Sequence, residues 1–250
     1  MNPQNGCSII LETILANQIL SHEISEELAF LLIQRGLIAN KDSMLPIVNE
    51  CVQPTFFIFD LTQACNFSCI YCFRHLENKV ETITNDNLDA ITKYIIDYCK
   101  KYKIKDFCIQ PWGGEPLIAF DKIKRMDDAF KEADLHPLIS IETNAGLITE
   151  TIAKEASERN IRLGISIDGY SEIQNMHRPL ISGAPSFDRM RRGVEIISQF
   201  DNLKNFGVVC VLTSKSFPHL SEIIEFFGAE LKIKCFKLNL IKDNPVMKDA

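Results

Sequence analysis

From residue 55 onward, short apolar runs alternate with longer amphipathic stretches almost to the end of the chain. The runs are rich in Ile, Val and Phe: FFIFDL (56–61), DFCIQ (106–110), LISIE (138–142), IRLGISI (161–167), FGVVCVL (206–212) and KCFKLNLI (234–241). Each has the length and composition of a strand. Between them, apolar residues fall at helical spacing. Leu88, Ile91, Ile95 and Tyr98 follow a capping Thr84; Phe187, Met190, Val194 and Ile197 follow Ser186; Leu220, Ile223, Ile224 and Phe227 have Pro218 near the first turn. This alternation predicts six parallel strands with right-handed helical crossovers, because parallel neighbours need a long return connection. Six units are too few for a closed eight-fold barrel, so an open doubly wound sheet and a partial barrel both fit the pattern. In either, ligands gather at the carboxyl ends of the strands.

The first 50 residues read differently. Two helical patterns precede the polar stretch NKDSMLPIVNECVQP (40–54). In the second, Ser25 is placed to cap, Glu26 and Glu27 suit the first turn, Leu28, Leu31, Leu32 and Arg35 keep helical spacing, and Gly36 fits the C′ position. The expected organisation is a helical segment over 1–50, either a peptide-binding module or a cap on the core, a main domain over 55–241, and a short tail over 242–250. A chain of 250 residues with 46% apolar composition supports one large domain with a small appendage. The net charge of -6 comes without a run of like charges, which argues against a nucleic-acid partner. The N-terminus has no basic stretch ahead of its apolar residues, and no window approaches 18 uninterrupted apolar positions, so no membrane association and a cytoplasmic location are expected.

Nine cysteines are many for such a chain, and disulfides are a poor explanation in a reducing compartment. Six of them (Cys7, Cys51, Cys99, Cys108, Cys210 and Cys235) are scattered among apolar residues and read as small buried hydrophobes. The other three, Cys65, Cys69 and Cys72, share the loop CNFSCIYC after the first strand. Zinc would call for a fourth ligand, and a redox pair would leave Cys65 unexplained. Three thiolates in one loop suit an iron–sulfur cube whose fourth iron stays open. After the second strand comes WGGEP, where Gly113 and Gly114 let a backbone approach a ligand and Glu115 offers an acceptor suited to an ammonium. After the third come Thr143 and Asn144, and the fourth ends in ISIDG with Ser166 and Asp168 two apart.

Together these motifs resemble the radical S-adenosylmethionine (radical SAM) superfamily. The resemblance rests on C-x3-C-x2-C with Tyr71 before the third cysteine, GGEP at 113–116, TNAG, SIDG and HRPLISGAPSFDRMRRGVEII (177–197), and spans about 55–241. Within the superfamily the chain is most similar to the anaerobic sulfatase-maturing enzymes and related peptide maturases. The resemblance implies an α/β fold, a partial (β/α)6 TIM-like barrel, with Cys65, Cys69 and Cys72 holding a [4Fe-4S] cluster. It implies SAM on the open iron, with Gly113, Gly114 and Glu115 on its amino group, Tyr71 near adenine, Ser166 facing the ribose, and Asn144 and Asp168 shaping the pocket. Reductive cleavage of SAM would then lead to hydrogen abstraction from a peptide or protein side chain, with flavodoxin or ferredoxin as reductant. A non-catalytic partner of a longer maturase and an enzyme of small molecules are the other readings.

Two departures stand out. Gln174 and Asn175 occupy positions where such maturases often carry His-Asp, so no catalytic role is assigned there and His177 is read as a polar loop residue. The maturases also continue into a cysteine-rich SPASM extension, whereas this sequence stops at NPVMKDA and its scattered cysteines form no second grouping. The expectation is a chain without that extension and without auxiliary clusters.

Overall fold

A computed structural model describes residues 25–34, 53–72, 74 and 80–241. The chain divides into two compact units, Met1–Val52 and Gln53–Ala250. Of the first, helix α1 (Glu26–Gln34) is described. The Leu28 N–H donates to Ser25 Oγ at 3.2 Å, the capping bond its sequence predicts, and Leu28 and Leu32 are buried. Arg35, Gly36, Cys7, Cys51 and the tail 242–250 lie outside the described residues.

The second unit runs β1 (Phe56–Thr62), α2 (Asn85–Tyr102), β2 (Cys108–Gly113), a 3-10 turn (Pro116–Ala119), α3 (Phe120–Glu132), β3 (Leu138–Thr143), α4 (Glu150–Glu158) and β4 (Arg162–Ser166). It continues through α5 (Ser171–His177), α6 (Phe187–Ile197), β5 (Gly207–Leu212), a 3-10 turn (Phe217–His219), α7 (Leu220–Glu225), a π turn (Phe226–Glu230) and β6 (Phe236–Leu240). All adjacent strands pair in parallel, and their order in the sheet is their order in the chain. That order decides between the two architectures. A doubly wound sheet must reverse direction to place helices on both faces, whereas same-handed crossovers in consecutive order put every helix on one face and curl the sheet around the other. The result is a partial (β/α)6 barrel, with β1 and β6 as its edges.

Strand alternation sorts the side chains. Ile109, Ile139, Ile141, Leu163, Ile165, Val208, Cys210 and Leu212 face outward into the main core with Leu88, Ile95, Phe130, Met190 and Ile197 of the helices. Ser140, Glu142, Arg162, Ser166 and Lys237 occupy the alternate, concave positions. A cavity of about 800 Å³ runs along this concave side from the strand starts up to Glu142, Gly164 and Lys237. Among the described residues, no helix is long and apolar enough to cross a membrane.

Several local expectations shift. Strand β2 runs on to Gly113, past the Gln110 limit read from sequence. Pro111 is tolerated because pairing with β3 ends at Ile109, so the missing N–H costs no bond on that side. Ile224 is exposed, because α7 is only six residues long and the wider π turn after it brings Phe226 and Phe227 inward. Cys235 is exposed rather than buried. Ser186 does not cap α6 with its side chain, and its buried Oγ has no hydrogen-bond partner. Asn175 of α5 does that work from eleven residues upstream, its Oδ1 accepting from the N–H groups of Ser186 and Phe187 at 2.9 Å each.

Asn175→Ala therefore costs about 1–2 kcal/mol, the usual value of a lost cap. Ser186→Ala changes stability by no more than about 0.5 kcal/mol, because the hydroxyl it removes bonds nothing. Urea denaturation of the two variants beside the parent chain checks the pair, and equal losses would contradict the assignment.

Candidate metal centre

The loop after β1 carries all three cysteines on the carboxyl end of the barrel. A second segment holds it in place. The Ser68 N–H donates to Pro179 O at 2.7 Å, Ile70 N–H to His177 O at 2.9 Å and Ile181 N–H to Asn66 O at 3.2 Å, while Phe67 bridges Leu180 in antiparallel fashion. Phe67 is wholly buried, anchoring the middle of the loop. Residues 177–181 thus serve as a backbone splint for the cysteines. His177 is no loop residue: it ends α5 and is fully buried, with Nε2 3.0 Å from Thr213 Oγ1 and Nδ1 3.6 Å from Asp168 Oδ2.

Gly113, which ends β2, and Gly114 after it are required by packing within the protein. A Cβ on Gly113 would lie 2.1 Å from Thr62 O, and one on Gly114 would lie 2.3 Å from Ala64 O. Gly113 also takes a φ of +144°. The glycines let the end of β2 press against the start of the cysteine loop, where Gly114 N–H donates to Thr62 O and Glu115 N–H to Ala64 O. The Glu115 carboxylate is held by protein donors. Its Oε1 accepts from Thr143 Oγ1 at 2.7 Å and from Leu117 N–H at 3.1 Å, and its Oε2 accepts from Asn144 N–H at 2.8 Å. Burial raises its pKa despite these donors. Glu115 thus joins the ends of β2 and β3.

Asn144 is drawn to the cysteines: its Nδ2 donates to Asn66 Oδ1 at 2.8 Å and lies 3.8 Å from Cys65 Sγ. Asp168 is completely buried and occupied by protein donors. Tyr71 Oη donates to Oδ2 at 2.6 Å, Val211 N–H to Oδ1 at 2.9 Å, and Arg178 Nε is 2.9 Å from Oδ2 as an ion pair. Burial alone would raise its pKa, but Arg178, His177 and Tyr71 together hold it below the usual carboxylate range. Any effect of Asp168 on a ligand therefore passes through Tyr71 and Arg178. The Arg178 guanidinium lies 5.4 Å from the centre of the Tyr71 ring, and its Nη1 is 3.9 Å from Cys69 Sγ. Ser166 sits half-buried on the concave side at the end of β4.

These surroundings fit a cluster. Burial pushes the Cys65 thiol up to about 11 and the Cys69 thiol up to about 12, with Phe67 N–H and Arg178 pulling the other way. Thiols so placed ionise only against a metal's charge, and N–H donors around the sulfurs are what an iron–sulfur centre uses for fine control. Among the described residues, no group of three His, Cys, Asp or Glu side chains could hold a single metal ion. Three sulfurs that each bind a different iron of a cube need not converge on one point.

The pattern of the radical SAM superfamily matches residues 59–227. The chain belongs to the radical SAM superfamily. Radical SAM proteins use a [4Fe-4S] cluster and SAM, and Cys65, Cys69 and Cys72 lie within the matched residues. An uncharacterized protein of Methanocaldococcus jannaschii is 35% identical over 188 residues, 74% of this chain and 62% of that protein. The cysteine-type anaerobic sulfatase-maturating enzyme of Clostridium perfringens is 27% identical over 176 residues, 66% of this chain and 46% of the enzyme. A solved structure of anSMEcpe with bound AdoMet superposes with a TM-score of 0.67 at 27% identity, covering 76% of this chain and 52% of that one. The chain thus spans about half to three-fifths of the length of these relatives.

Sequence reasoning did not place His177, Arg178 and Thr213 beside the cysteine loop and Asp168. The first two lay in view within HRPLI, but only the fold brings them against Tyr71 and Cys69.

Gly114→Ala tests the contact between the β2 edge and the loop, since the added methyl meets a carbonyl that cannot move aside without the cysteines. After anaerobic reconstitution this variant binds less iron and sulfide per chain than the parent. Gly228→Ala, whose methyl meets nothing within 4 Å, loads as the parent does.

Proposed function

We propose that this protein uses a [4Fe-4S] cluster on Cys65, Cys69 and Cys72 to cleave SAM reductively and take a hydrogen atom from a peptide or protein side chain. The observation that carries the reading is the three-cysteine loop at the carboxyl end of a parallel barrel, splinted by 177–181 and buttressed by the Gly113–Gly114 edge. When bound and reduced, the cluster and SAM supply one-electron chemistry that no side chain can perform. The chain's own residues bind, orient and exclude water.

Gly113, Gly114 and Glu115 are assigned to the methionyl amino group, the Tyr71 ring to adenine and Ser166 to the ribose. Asn144 and Asp168 take supporting places, Asn144 at Cys65 and Asp168 behind Tyr71 and Arg178. A peptide as substrate is supported by the relatives: one is a sulfatase-maturating enzyme of the cysteine type, and anSMEcpe has been solved with AdoMet and a Cp18Cys peptide. A small redox protein such as flavodoxin or ferredoxin is assigned as the electron donor.

Anaerobically reconstituted protein is expected to show a paramagnetic cluster signal that changes on adding SAM, and to release 5′-deoxyadenosine once reduced. Cys69→Ala loses both. Iron loading without SAM cleavage, unchanged in Cys69→Ala, would sink the enzymatic reading.

The peptide assignment has its own measurement. With a Cys-containing peptide deuterated at Cβ, deuterium is expected in the released 5′-deoxyadenosine. Product free of deuterium across Cys- and Ser-containing peptides points instead to a small-molecule substrate.

A further inference from the structure

The three cysteine sulfurs do not share one electrostatic environment. Cys65 faces the neutral Asn144 amide, whereas Cys69 has the Arg178 guanidinium at 3.9 Å. Arg178 is only 7% exposed, so little water screens its charge. Its counter-ion, Asp168, is fully buried and meets a different guanidinium nitrogen, Nε, while bound to Tyr71 and to the β5 main chain at Val211. Arg178 therefore lies at contact distance from the loop sulfur, while the opposite charge is held at its Nε. Reduction of a cluster adds one negative charge. A fixed positive charge beside a ligating sulfur stabilises the reduced form, and a fixed negative charge opposes it.

We propose that Arg178 and Asp168 form a fixed, buried dipole that sets the reduction potential of the cluster held by Cys65, Cys69 and Cys72. Arg178 raises the potential and Asp168 lowers it. Both are positioning residues: they touch a cluster ligand or one another, and the reacting atoms lie elsewhere. The inference rests on the cluster reading above and adds what the chain does to the cluster's electronics. Gln174 completes the arrangement by accepting from Asp168 N–H at 2.9 Å, which fixes the backbone that carries the carboxylate.

The test is a spectroscopically monitored redox titration of reconstituted parent, Arg178→Met, Asp168→Asn, Arg178→Lys and the double variant Asp168→Asn/Arg178→Met. Arg178→Met is expected to disfavour reduction by about tenfold, ~59 mV for a one-electron couple. Asp168→Asn shifts the potential the opposite way, the double variant returns towards the parent, and Arg178→Lys lies between Arg178→Met and the parent. A merely structural pair would move both single variants in the same direction or neither, and either result overturns the proposal. Should Arg178→Met fail to fold with Asp168 left unpaired, Arg178→Lys and the double variant still give the ordering. Iron and sulfide content separates the two levels of failure. A parent protein that loads no cluster refutes the proposed function, whereas a loaded parent with unordered potentials refutes only the dipole.

Discussion

A carboxylate with no exposed surface must find its solvation inside the protein, and Asp168 does so by drawing three parts of the chain together. Tyr71 brings the cysteine loop, Arg178 the start of the splint and Val211 the strand β5, while Gln174 of α5 accepts from the Asp168 main-chain N–H. Burying such a charge is affordable only when nearly all of its lone pairs are met. That demand is what makes the carboxyl end of this barrel one object rather than a set of loops. Arg178, pulled inward by Asp168, is thereby placed against Cys69.

A second constraint is close approach. Gly113 and Gly114 let the β2 edge touch the carbonyls of Thr62 and Ala64, and Gly193 of α6 packs where a Cβ would lie 2.2 Å from Ala145 O. These contacts bring the ends of β1, β2 and β3 close enough for Glu115 to bond Thr143 and Asn144, and for Asn144 to reach Cys65. The acidic side chain that the sequence offers as an acceptor also holds two strand ends together.

Much of this was legible beforehand. All six strands follow from their apolar runs, and Thr84, with Oγ1 accepting from Asn87 N–H at 3.2 Å, caps α2 as its sequence predicts. The cysteine loop was identified by its spacing and by its place after the first strand. Signals that depend on a neighbour distant in sequence were misread or missed. Ser186 looked like a cap but lost that role to Asn175, and His177 looked like a loop residue but is wholly buried beside Thr213 and Asp168.

By itself the sequence determined the elements, their parallel direction and the three thiols, because periodicity, crossover length and residue chemistry are local properties. The tertiary structure decided that the sheet curls into a partial barrel, through a strand order that the alternation of strand and helix leaves open. It also decided how the buried carboxylates are held. Glu115 and Asp168 carry the same chemistry as any exposed carboxylate, and only folding brings them their protein donors.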